Sequence, residues 1–239
     1  MTTSLTVPDS VVLPEPRLPP LQNGDRLTRD DFERRYEAMP DCKKAELIEG
    51  VVYMPSPVLF REHAQPHFNV ITWLGQYCIA TVGVWGGDNG SLRLDLKNMP
   101  QPDAFLLIRP EYGGQARIGE DGYVEGAPEL VVEIAASSAS YDLNVKLHVY
   151  QRNGVREYVV WRVWDSAVDW FVLREDRYDR LPLDADGLYR SEVFPGLWLD
   201  PAALIAGDLG IVGQVLQQGT ASPEHRAFVM RLKPGSQTT

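Results

Sequence analysis

Apolar and polar positions divide this chain into short strands and a few helices. After Thr28, which has Asp31 three residues on, DDFERRYEAM (30–39) reads as a short capped helix. ELIEGVVYM (46–54) alternates like a hairpin turning at Glu49-Gly50, and Pro55 and Pro57 end it. In REHAQPHFNVITWLGQYCIAT (61–81), Val70, Ile71, Leu74, Tyr77 and Cys78 fall at helical spacing. This predicts the main helix, with Pro66 tolerated only near its first turn. Strands are expected near 82–85, 91–96, 103–108 and 130–135. The polar, glycine-rich stretch 109–129 reads as a loop or irregular hairpin. SYDLNVKLHVYQRN (140–153) predicts a second helix closed by Gly154. REYVVWRV (156–163) and AVDWFVLR (167–174) predict paired strands turning at Asp165-Ser166. One or two smaller hairpins follow within 178–199, and PAALIAGD (201–208) forms a last helical turn.

This order predicts one α/β (α+β) domain over 26–208, a mixed sheet flanked by helices. Residues 1–25, with five prolines, read as an extended or disordered arm. Residues 209–239 read as a C-terminal tail with room for a short helix.

Composition narrows the function classes. The formal net charge is −10 over 239 residues, which argues against loose, charge-driven binding to nucleic acid but leaves room for a local basic groove. Two cysteines without CxxC or Cys/His spacing give neither a disulfide framework nor a zinc site. No apolar stretch is long enough to span a bilayer, and the N-terminus lacks signal-peptide order, so a cytoplasmic protein without membrane attachment is expected.

The chemistry starts from one residue. In PELVVEIAASSAS (128–140), Glu133 interrupts the apolar run of Leu130, Val131, Val132, Ile134, Ala135 and Ala136. A run like this marks a strand covered on both faces, where an ionised carboxylate needs a partner. QPDAFLLI (101–108) raises the same question at Asp103. Strand alternation sets Asp103 with Phe105 and Leu107, and Glu133 with Val131 and Ala135. On neighbouring strands the two carboxylates would meet on one face and need a cation, for which Mg²⁺ or Mn²⁺ is the hard-ligand match. Lys146 lies on the shoulder of the stripe Leu143, Leu147 and Tyr150, so its ammonium could reach the same place. Glu133 is therefore offset by a metal, by Lys146, or by both.

At these residues the chain resembles the PD-(D/E)XK nuclease superfamily, and within it the Uma-type branch of restriction-endonuclease-like proteins. The resemblance rests on AELIEG (45–50), PSPVLFREH (55–63), QPD (101–103), GAPELVVEI (126–134), DLNVKLHVYQRNGVREYVV (142–160) and FPGLWLD (194–200), spanning roughly 27–206. It implies a three-layer fold with a mixed, mostly antiparallel central sheet. It also implies one or two Mg²⁺ (or Mn²⁺) ions held by Asp103, Glu133 and the Ile134 carbonyl, with Glu46 pointing at the same site. The superfamily's lysine two residues after the glutamate is Ala135 here. Lys146, on the next helix, matches the place where this branch carries its lysine. His63 matches a recurrent histidine that could contact substrate.

The function implied is a metal-dependent endonuclease acting on nucleic acid, DNA above all, with a homodimer as one form of assembly. The competing readings are a non-catalytic binding or regulatory module that kept the fold, and a hydrolase of small phosphate esters. The blander readings of single residues are a strand-start cap for Asp103, a salt bridge for Glu133, a solvated lysine for Lys146, a surface residue for Glu46 and a helix cap for His63. His67, His148 and His225 have no acidic partner evident in sequence. Trp161, Trp164 and Trp170 read as core, with a base-stacking platform as the alternative.

Overall fold

A computed structural model describes residues 18–54 and 57–232. Of the arm expected over 1–25, residues 1–17 lie outside them, and 18–25 are no loose arm: Leu21 is buried against Phe32 and Leu47, and the Gly24 amide donates to the Val52 carbonyl at 2.8 Å. In chain order the strands are β1 (Glu46–Ile48), β2 (Val51–Tyr53), β3 (Val84–Asp88), β4 (Leu92–Arg93), β5 (Ala104–Ile108), β6 (Arg117–Ile118), β7 (Val124–Glu125), β8 (Leu130–Ala135), β9 (Glu157–Arg162), β10 (Ala167–Arg174), β11 (Arg177–Arg180), β12 (Tyr189–Arg190) and β13 (Trp198–Leu199). The α-helices are α1 (Arg29–Glu37), α2 (Gln65–Ala80), α3 (Ala139–Tyr141), α4 (Leu147–Arg152), α5 (Pro201–Ala206), α6 (Leu209–Thr220) and α7 (Pro223–Arg231). Wider π-helical turns, Phe60–Ala64 and Asp142–Lys146, lead into α2 and α4.

Local chemistry explains many of these boundaries. The Thr28 hydroxyl accepts from the Asp31 amide and caps α1. Glu49 and Gly50 both take positive φ, 52° and 73°, the two-residue turn that matches strand twist. Pro66 sits at the start of α2, where its missing N–H costs nothing. Gly154, at φ 83°, follows α4.

The central sheet has six strands in the order β11-β10-β9-β8-β5-β3. Only the β8–β9 pair is parallel; the other four pairs are antiparallel. The sheet is therefore mixed and mostly antiparallel, flanked by helices as expected. One face packs Ala104, Leu106, Val132, Ile134, Trp161 and Trp170 against Trp73 and Tyr77 of α2 and Val212 and Leu216 of α6. The other packs Phe105, Leu107, Val131, Ala135 and Tyr158 against Tyr150 of α4. A smaller cluster joins Phe32 of α1 to Leu47, Val52 and Leu21.

Two regions differ from the sequence expectation. Residues 209–231 are not a loose tail: α6 and α7 bury Val212, Leu216 and Phe228 in the main core. Gly219 of α6 runs so close to the chain at Gly196 that a Cβ there would lie 2.3 Å from the Gly196 carbonyl oxygen. The helical signal was present in Val212, Val215 and Leu216; the partner surface was not, because α2 lies more than a hundred residues away. Second, Arg177–Arg180 is no separate hairpin but extends the main sheet after a tight turn at Glu175-Asp176. The 109–129 stretch supplies β6 and β7, an irregular hairpin that pairs with β4 in the small sheet β4-β7-β6. Among the described residues no helix is long and apolar enough to cross a membrane.

Candidate active site

Asp103 immediately precedes β5. The register that sets Ala104 against Val132, continued by one residue, puts Asp103 across from Glu133. The Ile134 amide donates to Asp103 Oδ2 at 2.8 Å and ties the two strands together there. Asp103 Oδ1 faces two basic side chains, the Lys44 ammonium Nζ and His63 Nε2, each at 3.3 Å. Burial works to raise this carboxyl's pKa, but the His63 hydrogen bond, the Lys44 charge and the Ile134 amide overcome it and hold Asp103 well below the usual carboxylate range.

Glu133 is offset by side chains from across the fold. Lys146 Nζ donates to its Oε1 at 2.9 Å and the Tyr150 hydroxyl donates to the same oxygen at 2.8 Å. Lys146 also reaches Glu46 Oε1 at 2.9 Å and stands 3.9 Å from Asp142 Oδ1. Glu46 Oε1 accepts in addition from the Gln101 amide at 2.8 Å. These groups are all nearly sealed from water: Asp103 is 4% exposed, Glu133 3%, Lys146 4% and Asp142 3%. Burial opposes the lysine's charge, yet Glu133, Glu46 and Asp142 hold its pKa well above the ordinary value. One ammonium cannot balance so many carboxylates. Burial, against the pull of Lys146, and then the neighbouring Asp103, Asp142 and Glu46 push Glu133 up to about 8.

Each residue singled out in sequence (Asp103, Glu133, Ile134, Lys146, Glu46 and His63) lines a single cavity of about 330 Å³. Two of them sit on the wider helical turns, His63 on Phe60–Ala64 and Lys146 on Asp142–Lys146. Such turns recur where a helix must aim a side chain off its regular track.

Sequence reasoning missed several neighbours. Lys44 lies two residues before Glu46, the spacing that sets both on one side of an extended chain. Asp142 and Tyr150 lie four residues either side of Lys146 on the same helical face. Those two spacings were readable signals. His67 was given no acidic partner, yet its Nε2 lies 3.1 Å from Asp88 Oδ1 and 2.8 Å from the Asp103 carbonyl oxygen. Nothing local in the sequence points to Asp88, which comes from the far edge strand β3.

The donor set suits a hard divalent cation in its chemistry. Asp103, Glu133 and Ile134 line one cavity, the first two offering carboxylate oxygens and the third a backbone carbonyl. Among the described residues no hydrogen bond reaches the second Glu133 oxygen. The set is not fully assembled: no three His, Cys, Asp or Glu side chains among the described residues stand together as a metal cluster. Lys146 and Lys44 bring positive charge to the two carboxylates, and His63 Nε2 lies 3.3 Å from Asp103 Oδ1.

A mixed sheet between helix layers, with an acid pair where the neighbouring strands β5 and β8 meet, defines a nuclease-like fold. The chain belongs to the Uma2 family, described as "Putative restriction endonuclease", whose model matches residues 29–202. It is also similar to a crystal structure from Anabaena variabilis, described as "a putative nuclease belonging to DUF820". That likeness has a TM-score of 0.53 at 14% identity and covers 75% of this chain and 99% of that one. At this identity it speaks for the fold alone. No curated protein matches the chain.

Proposed function

We propose that this protein is a metal-dependent endonuclease that hydrolyses phosphodiester bonds in DNA. The observation that carries the reading is the buried pair Asp103 and Glu133 lining, with Lys146, one cavity open to solvent. A protein with only a structural salt bridge here has no need of a cavity leading to it.

In this reading Asp103, Glu133 and the Ile134 carbonyl would hold one or two Mg²⁺ or Mn²⁺ ions. The bound cation supplies Lewis-acid polarisation of a phosphoryl oxygen and a lowered water pKa. The chain's own groups do the rest. Lys146 turns its ammonium from Glu133 toward the attacking water, or toward the charge that gathers on the phosphoryl oxygens. Glu46 shares that ammonium and steadies it. His63 lies at the mouth, where it contacts the substrate strand. The water oxygen adds to phosphorus and gives up one proton to solvent, the bond from phosphorus to one sugar oxygen breaks, and that oxygen takes up a proton from solvent.

The test is calorimetric titration with Mn²⁺ of the wild type, Asp103→Asn and Glu133→Gln, together with cleavage of plasmid DNA in Mg²⁺. Binding and cleavage in the wild type, both lost in the two variants, support the reading. Undiminished cleavage by Asp103→Asn overturns it. A second reading, a binding module that kept the fold, draws on the net charge of −10 and on Lys146 already bridging Glu133 and Glu46. It moves ahead if the wild type binds DNA without cutting it.

A further inference from the structure

We infer that Trp164 forms a stacking subsite for an unpaired base beside the scissile phosphate, so that the preferred substrate is single-stranded or locally opened DNA. This inference rests on the nuclease reading and specifies its substrate. Three tryptophans share the β9–β10 hairpin. Trp161 and Trp170 are core residues, 4% and 1% exposed. Trp164, at the hairpin's turn, is 65% exposed and lines the same cavity as Asp103 and Glu133. A single exposed indole is ordinary, but one that shares a cavity with other exposed apolar side chains forms the kind of patch that marks a ligand site.

The turn that carries it is braced. Arg162 pairs with Asp165 and, at 2.7 Å, with Asp169, and the Ser166 amide donates to the Val163 carbonyl at 3.2 Å. The backbone that presents the indole is thus held at the cavity's edge. Val58 and Leu59, 62% and 59% exposed, line the same cavity, so its exposed rim holds further apolar surface beside the indole.

Charge argues against a duplex as the favoured ligand. The basic residues lining the cavity are Lys44, His63 and Lys146, and each already faces a carboxylate. Each is already engaged inside the site, so the cavity lining holds no spare cation for a run of phosphates beyond the reacting one, and the chain's net charge is −10. Affinity from phosphate contacts is therefore small, and stacking on an aromatic face is the interaction the rim offers. A stacked duplex hides its base faces from such a platform. A strand with a splayed base presents one. The cavity, about 330 Å³, is at the small end for ligand sites and suits one nucleotide unit.

The experiment measures binding and cleavage separately. Fluorescence anisotropy follows a labelled 20-nucleotide single strand and the matching duplex in Ca²⁺; cleavage of both is followed in Mg²⁺. The proteins are the wild type, Trp164→Ala, Trp164→Phe, and Trp85→Ala as an exposed tryptophan on the far edge strand. The expected result is single-strand binding weakened on the order of tenfold or more by Trp164→Ala, with KM raised and kcat little changed. Trp164→Phe restores most of it and Trp85→Ala changes nothing. Cleavage by the wild type that Trp164→Ala leaves unaltered on both substrates overturns the subsite and leaves the nuclease reading standing. Single-strand binding lost in Trp164→Ala without cleavage by any form supports the subsite and overturns the nuclease reading. A wild type that neither binds nor cuts the single strand overturns the subsite, and one that cuts neither the single strand nor the duplex overturns the nuclease reading as well.

Discussion

Glu133 and Glu157 lie on the neighbouring parallel strands β8 and β9, both almost fully buried, and burial pushes both carboxyls up, to about 8 and about 7. Their surroundings differ. Glu157 is enclosed by neutral donors: the Ser191 hydroxyl at 2.6 Å and the Glu192 and Val193 amides at 2.8 and 3.3 Å. Both its oxygens are satisfied, and its work is to pin the loop after β12 to the sheet. Glu133 instead meets a lysine and a tyrosine hydroxyl on one oxygen, faces other carboxylates, and lines a cavity. A buried acid with a raised pKa is therefore not in itself a site. What separates the two is unbalanced charge and access from solvent.

This contrast can be broken at several points. The largest effect expected is on activity: Asp103→Asn should lower Mg²⁺-dependent cleavage on the order of 10³-fold, while Glu157→Gln leaves it within a few-fold. Single-turnover cleavage with circular dichroism as the folding control checks both. Equal loss in the two would erase the distinction. Next, Lys146→Ala should destabilise the fold by roughly 3–5 kcal/mol, because it strands buried carboxylates. The double variant Lys146→Met with Glu133→Gln should recover part of that loss in urea denaturation, and a double variant no better than the single one would show that packing, not charge, sets the cost.

The third prediction concerns pH. Glu157 is raised from 4.5 to about 7, so the folded protein keeps a proton that the unfolded chain has released. This stabilisation is fully present below about 4.5 and is lost as the pH rises through 7. At ~1.36 kcal/mol per pH unit the loss is roughly 3 kcal/mol. Glu157→Gln should flatten the wild-type fall in stability between pH 5 and 8, and an unchanged slope would show that other groups carry it. The smallest effect is expected for Ser191→Ala, which removes one donor to Glu157 and the acceptor of the Phe194 amide. It should cost about 2 kcal/mol with no change in cleavage.

Much of this arrangement was readable along the chain. Strand alternation set Asp103 with Phe105 and Leu107, and these two side chains do share a core face with Val131 and Ala135. The Leu130–Ala135 strand, the Glu49-Gly50 turn and the Gly154 stop rest on short-range rules, and each lies where those rules put it. Lys146 sat on the shoulder of its helix stripe, and its ammonium does reach Glu133. Less legible were Lys44, Asp142 and Tyr150. Their spacings are local, but a carboxylate on another strand had to be in place before those spacings meant anything.

The sequence by itself determined which segments are strands and helices, which residues face each side of a strand, and that Glu133 could not stand in its apolar run alone. Backbone sterics and side-chain periodicity act over a few residues, so they are written in order along the chain. Only the tertiary structure decided that Asp88 comes to His67, that α6 and α7 close over α2, and that Trp164 opens onto the cavity while Trp161 and Trp170 are buried. Those outcomes depend on long-range packing and on how many charges share one enclosed volume, and neither is encoded in the spacing of any single segment.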